Sequence, residues 1–146
     1  MVVDSKQEQL KFEDIIKIAV KETKSKYPFH VAFVAIIKEL TLPGAFPVRF
    51  GNTVFIVHPD KKKSHHVFFR ALNADTAKNY IDNSRRFTHQ MAKKGYTMMV
   101  TQFKDPTLLN IFKVIGREQP KDMGYKVQKT EDGGYQVVVS LSKERK

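Results

Sequence analysis

The feature that most constrains the fold is a change of period in the middle of the chain. SHHVFFRAL, residues 64 to 72, and YTMMVTQF, residues 96 to 103, are runs rich in Val, Phe and Met. Between them Ala77, Tyr80, Ile81, Ser84, Phe87 and Met91 fall at helical intervals. Asp75 or Thr76 stands where an N-cap belongs, and Gly95 stands where such a helix ends. A strand, a helix and a strand in this order predict two parallel strands joined by a crossover.

The flanking segments predict antiparallel pairing. FPVRF and NTVFIVHP are divided by Gly51-Asn52 and followed by PDKKKS, and MGYKVQKTEDGGYQVVVSL closes the chain as a hairpin turning at Gly133-Gly134. The sheet is therefore expected to be mixed. Ahead of it, FEDIIKIAVKETKSK, residues 12 to 26, puts Phe12, Ile15, Ile16, Ala19 and Val20 on one helical face. After Pro28, residues 30 to 40 form a second, more apolar helix that pairs with the first. DPTLLNIFKVIG, residues 105 to 116, opens with Asp105 as N-cap and Pro106 in the first turn, and reads as a buried crossover helix. The expected architecture is a single α/β domain over 1–146, a mixed sheet flanked by helices, with a flexible stretch at 1–11 and a charged tail at 142–146.

Composition narrows the chemistry. At 146 residues the chain can bury roughly two thirds of its unfolded surface as one domain. Cysteine is absent, which excludes disulfides, thiolate metal sites and a Cys nucleophile. The opening MVVDSKQEQLKFEDII scatters charges where a signal peptide has an apolar core, and no run is long enough for a membrane helix. The expected setting is cytoplasmic, or a virion. A net charge of +11 favours a polyanionic partner: nucleic acid, an anionic surface or a phosphate-rich cofactor. Lys61, Lys62, Lys63, Lys78, Arg85, Arg86, Lys93 and Lys94 can contact phosphates without reading sequence, and a solvated polar face explains them equally well.

The element order, with IFKVIGRE in the last helix, resembles the GNAT fold, the superfamily of acyl-CoA-dependent N-acyltransferases. In that family the corresponding helix reads Asn, then Tyr, Glu, Lys, an apolar residue, Gly and Phe. Asp105 matches the Asn, Phe112 the Tyr, Ile115 the apolar position, Gly116 the Gly and Arg117 the Phe. The resemblance covers about Val54 to Leu141 by element order. Within the superfamily the short basic chain looks most like small phage-type proteins, including internal virion proteins of short-tailed phages. On this reading Gly116 ends the helix and turns the chain toward the last strands.

The resemblance implies acetyl-CoA or another acyl-CoA as cofactor and an amine as substrate. It places the pantetheine arm where two parallel strands part, and the pyrophosphate on backbone N–H groups at the start of the following helix. The cofactor-binding stretch is then Phe69, Arg70, Ala71, Leu72, Asn73, Ala74, Asp75, Thr76, Ala77 and Lys78. The family signature there is Arg or Gln, two residues, Gly, one residue, then Gly or Ala; RALNADTAKNY has no Gly, and Asp75 adds a like charge that Arg70 and Lys78 can offset. The family's Tyr acid is replaced by Phe112, which has no transferable proton, so Tyr96 and Tyr125 are the substitutes to consider. His65 and His66 are adjacent in strand-like sequence and point to opposite faces, which argues against a shared metal. His58 and Asp60 in VHPDKKKS sit at a turn signal, where such residues are ordinary. No P-loop motif occurs. The rival expectation is a non-catalytic protein of the same fold that binds nucleic acid or a protein partner through its basic surface.

Overall fold

The computed structural model describes residues 10–22, 28–103, 106–117 and 124–141. In chain order the elements are α1 (Phe12–Glu22), α2 (Phe29–Leu40), β1 (Phe46–Phe50), β2 (Thr53–Pro59), β3 (His66–Asn73), α3 (Ala77–Lys93), β4 (Met98–Phe103), α4 (Pro106–Arg117), β5 (Gly124–Lys129) and β6 (Tyr135–Ser140). The six strands form one sheet in the order β1-β2-β3-β4-β6-β5. Every neighbouring pair is antiparallel except β3 and β4, which are parallel, as the crossover through α3 requires. The expected mixed sheet is therefore the one observed. The Asp105 cap, the extension of α1 to residue 26 and the 142–146 tail lie outside the described residues, as do residues 1–9 of the opening stretch.

Two apolar layers hold the helices to opposite faces. On one face Ile15, Ile16 and Ala19 of α1 and Ile36 of α2 pack on Val54, Ile56 and Leu72. On the other, Tyr80, Phe87 and Met91 of α3 and Phe112 and Ile115 of α4 pack on Phe55, Val57, Val67, Phe69, Met99, Val137 and Val139. The alternation of β2, with Val54 and Ile56 to one side and Phe55 and Val57 to the other, explains why it is buried through five consecutive residues. The tightest contact is the parallel stack of Phe55 on Phe87, with centroids 4.0 Å apart and planes at 2°, edged by Phe69 at 5.2 Å from Phe87.

Several local expectations shift by a residue or change their reason. Thr76 caps α3, accepting a hydrogen bond from the Asn79 N–H at 3.2 Å, and Gly95 follows the helix at φ 96°. Ala77 is exposed, and the buried face of α3 instead includes Asn83 and Thr88. His65 is not in a strand: it has φ 70°, and its carbonyl receives the Thr97 N–H at 2.7 Å, so it forms the corner from which β3 and β4 start together. At the described end of the opening stretch, Leu10 donates to Asn52 Oδ1 at 2.9 Å and accepts from Arg49 Nη2 at 2.6 Å.

Gly116 does not end α4. The helix continues through Arg117, and Gly116 is needed because a Cβ there would lie 3.0 Å from Cβ and 3.2 Å from Cγ of Tyr125 on β5. Helix propensity alone favours Ala by about 1 kcal/mol. Tyr125 Cβ is fixed to a strand backbone and cannot yield, so overpacking wins. Gly116→Ala is expected to lower stability in urea denaturation by about 1 kcal/mol, and the same substitution in a Tyr125→Gly background, which removes that Cβ, is expected to raise it.

Candidate functional site

The parallel pair is short. β3 and β4 match only over His66–Met98, Val67–Met99 and Phe68–Val100. Beyond Phe68, residues Phe69 to Asn73 remain paired with β2, while Thr101 to Phe103 remain paired with β6. The two strands therefore part, and the backbone groups they turn toward each other have no ladder partner across the gap. An extended ligand with amide groups can supply one.

The start of α3 stands beyond the open end of β3. Of the expected cofactor stretch, Phe69 and Leu72 are buried in the two opposite cores, so only their backbone faces a ligand. The Ala74 N–H is taken by the Asn52 carbonyl at 2.9 Å, and the Asp75 N–H by Asn73 Oδ1 at 3.1 Å. The Asn79 N–H is capped by Thr76. Ala77 and Lys78 then carry the first-turn N–H groups that a helix leaves without intrahelical partners.

Asp75 has a different part from the one its position suggested. Its Oδ2 accepts from the Asn52 N–H at 2.9 Å and from Asn83 Nδ2 at 3.0 Å, and its Oδ1 accepts from Asn79 Nδ2 at 3.4 Å. Asn83 also donates to the Thr53 hydroxyl at 3.0 Å, which itself donates to Asn73 Oδ1 at 2.7 Å. Asp75 thus clamps the Gly51-Asn52 turn to the head of α3. Gly51 has φ 58°, and a Cβ there would meet Asp75 Oδ2 at 2.9 Å.

Phe112 lies in the core and stacks on Phe103, centroids 5.2 Å apart. Tyr96 precedes β4 at the paired end of the β3–β4 gap, with its N–H on the Met91 carbonyl. Tyr125 lies on β5, two strands away from β4, against Gly116 of α4. Burial raises the Tyr125 phenol above its usual range, opposed by its hydrogen bond with Thr88 and by the Arg85 guanidinium. Burial raises the Tyr80 phenol more strongly, with a smaller contribution from Tyr125.

The other face of the gap carries polar groups that sequence reasoning missed. His58 does not pair with Asp60, whose Oδ1 instead caps the Lys62 N–H at 2.8 Å. Its Nε2 lies 2.5 Å from Glu39 Oε2 on α2, and Glu39 Oε1 is 3.5 Å from Arg70 Nη1 on β3. Glu39 is the more enclosed, at 18% side-chain exposure against 25% for His58 and 52% for Arg70. His58 is the cross-strand partner of Phe68, the last residue of β3 to pair with β4, and Phe68 is half exposed. The available signal was that Glu39 is the only acid in α2, a mostly apolar helix.

The basic residues separate. Arg86 pairs with Asp82 at 3.2 Å, and Lys94 lies over the Phe46 ring at 5.4 Å. Lys61, Lys62 and Lys63 precede β3 and Lys93 and Lys94 end α3, so these five share the end of the sheet opposite Lys78.

No protein-family model matches the chain, and no curated protein matches it. Among solved structures, the ribosomal-protein-S18-alanine N-acetyltransferase from Escherichia coli superposes with a TM-score of 0.53 at 8% identity, over 95% of each chain. At that identity the match establishes a fold, and the fold is GNAT-like.

The two raised tyrosines set an alkaline limit. Unfolded phenols ionise near 10.0. Above that pH the unfolded chain releases protons that folded Tyr80 and Tyr125 retain, so stability is fully present below pH 10 and falls as pH rises beyond it. Tyr80→Phe is expected to flatten that fall, measured by urea titrations at successive pH values. A separate loss of about 2 kcal/mol is expected for Asn83→Ala, which strips a donor from both Asp75 and Thr53.

Proposed function

We propose that the protein is an acyl-CoA-dependent N-acyltransferase, and that it transfers an acetyl group to an amine. The observation that carries this reading is the parting of β3 and β4 after Phe68, which exposes two strand edges beside a helix N-terminus. Unpaired edges at that separation suit the amide-bearing pantetheine arm, bound as an added strand between Phe69–Asn73 and Thr101–Phe103. Support for the phosphates is thinner than a Gly-rich loop gives. Ala77 and Lys78 N–H groups, the α3 dipole and the Lys78 ammonium would hold them, while Ala74 and Asp75 are committed to internal bonds. Lys78 offers the positive charge of the stretch, because the Arg70 guanidinium lies beside Glu39 on the other face of the sheet.

When bound, the acyl-CoA supplies a thioester carbonyl for direct attack by the amine. The chain's own contribution is to orient that carbonyl along the strand edge and to exclude water with the Phe103, Phe112 and Phe68 rings. Phe112 donates no proton, so the departing thiolate takes its proton from water or from the incoming amine.

A second reading has its own observation. The five lysines at the opposite end of the sheet, Lys61, Lys62, Lys63, Lys93 and Lys94, suit a nucleic-acid backbone in a protein that kept the fold without the reaction. Calorimetry separates the two. Saturable binding of acetyl-CoA, preferred over ATP and weakened roughly fivefold by Lys78→Glu, supports the acyltransferase. Absence of acetyl-CoA binding, with salt-sensitive capture of a DNA or RNA oligonucleotide lost on replacing Lys61–Lys63, overturns it.

A further inference from the structure

The acyltransferase reading says nothing of which amine is used, and the Glu39–His58–Arg70 cluster supplies an answer. Beside it, between α1, α2 and β3, lies a half-open cavity of about 210 Å³, room for roughly seven waters. Its wall is apolar and built from small or aliphatic side chains: Ala19, Ala32, Ala35, Ile36 and Leu72. Among the described residues, only Glu39 and Arg70 bring charge to it. An apolar wall with one carboxylate and one guanidinium recognises a ligand with an apolar body and two opposite charges close together.

The charges are poised for such a ligand. A carboxylate accepts only, so His58 Nε2 carries the proton of that 2.5 Å hydrogen bond and ties Glu39 Oε2 in place. Oε1 is left 3.5 Å from Arg70 Nη1, longer than a normal hydrogen bond, so the guanidinium keeps donors to spare. An α-amino acid carries its ammonium and carboxylate on adjoining atoms of one carbon centre. It can place the ammonium on Glu39 Oε1 and the carboxylate on Arg70, with its side chain in the cavity. A simple amine would leave the guanidinium without an anionic ligand, and a simple acid would leave Glu39 Oε1 without a cation.

We infer that the cavity between α1, α2 and β3 binds a free α-amino acid with an apolar side chain, held by Glu39 and Arg70 and with His58 as a positioning residue. That its α-amine is the acyl acceptor rests on the acyltransferase reading; the binding site does not. Arg70, Ala71 and Leu72 belong to the half of β3 that has left β4, so the cavity and the strand gap share a wall. As acceptor, the ammonium gives one proton to Glu39 Oε1. Its lone pair forms the C–N bond to the acyl carbon, and the C–S bond breaks with its electron pair on sulfur. A second nitrogen-bound proton passes through water to the thiolate, and one stays on the amide.

The test is calorimetry on the intact protein without acyl-CoA, using L-leucine as probe. Isoamylamine, 4-methylpentanoate and glycine serve as analogues lacking the carboxylate, the ammonium and the side chain. Leucine is expected to bind with a Kd of about 1 mM or tighter. Each analogue, and each of Glu39→Gln and Arg70→Met, is expected to bind or support binding at least about tenfold more weakly. Ala32→Leu, which fills the cavity and leaves the charges, is expected to abolish leucine binding while urea denaturation reports a folded protein. Failure of leucine to bind, or equal binding of isoamylamine, or binding unchanged in Glu39→Gln and Arg70→Met, overturns the inference. Leucine binding without acetyl-CoA binding upholds this site and sinks the acyltransferase. Acetyl-CoA binding without leucine binding does the reverse.

Discussion

The stack of Phe55 on Phe87 fixes the one geometric relation on which the rest of the molecule depends, the position of α3 over the sheet. A crossover helix between parallel strands is connected at both ends, yet only packing decides where along the strands it rests. Phe87 sits at mid-helix and is held between Phe55 and Phe69, rings from two neighbouring strands. Close-packed aromatic faces tolerate little sliding, because a displacement of an ångström forfeits much of the dispersion contact. With the middle of α3 pinned, its N-terminus must fall beyond Asn73 and its C-terminus must return beside His65.

The polar clamp at the head of α3 refines what the stack sets coarsely. Asp75, Asn83, Thr53, Asn73 and Asn52 exchange hydrogen bonds among a strand end, a turn and the helix. Each member is buried or half-buried, so a half-satisfied network would cost more than an apolar one. The same bonds that order the helix head also consume N–H groups that an anion would otherwise use. Local rigidity and phosphate affinity are therefore in competition here, and this sequence has resolved the competition largely toward rigidity.

Most of the architecture was legible because it follows from period and punctuation. The switch from helical to strand spacing at Phe46, the Val- and Phe-rich runs and Gly95 at φ 96° each act over a few residues, so each can be read locally. What escaped depends on contacts distant in sequence. Gly116 looked like a helix end because the reason for it, the Tyr125 side chain from its Cβ outward, lies on another element. His58 looked like an ordinary residue of the turn it shares with Asp60, while its partner is Glu39 on α2, 19 residues away. Asp75 looked like a cap or an unfavourable charge because Asn83 and Asn52, which receive it, give no sign of converging. The position of the strand gap was readable only to the extent that a parallel pair was; where it opens is a matter of register.

The two faces of the sheet divide the labour in a way that charge alone did not foretell. On the α3 and α4 face the polar groups are spent on internal order, and Phe112 and Phe103 close it with hydrocarbon. On the α1 and α2 face Glu39, His58 and Arg70 stay partly open to solvent, next to a half-exposed Phe68 and an apolar cavity. A charged side chain held at an apolar wall is costly unless a partner offsets its desolvation. Glu39 has two partners, one at hydrogen-bond distance and one beyond it. That incomplete neutralisation is the part of the molecule with most to gain from a ligand, and it lies on the face where the net charge of +11 gave no reason to look.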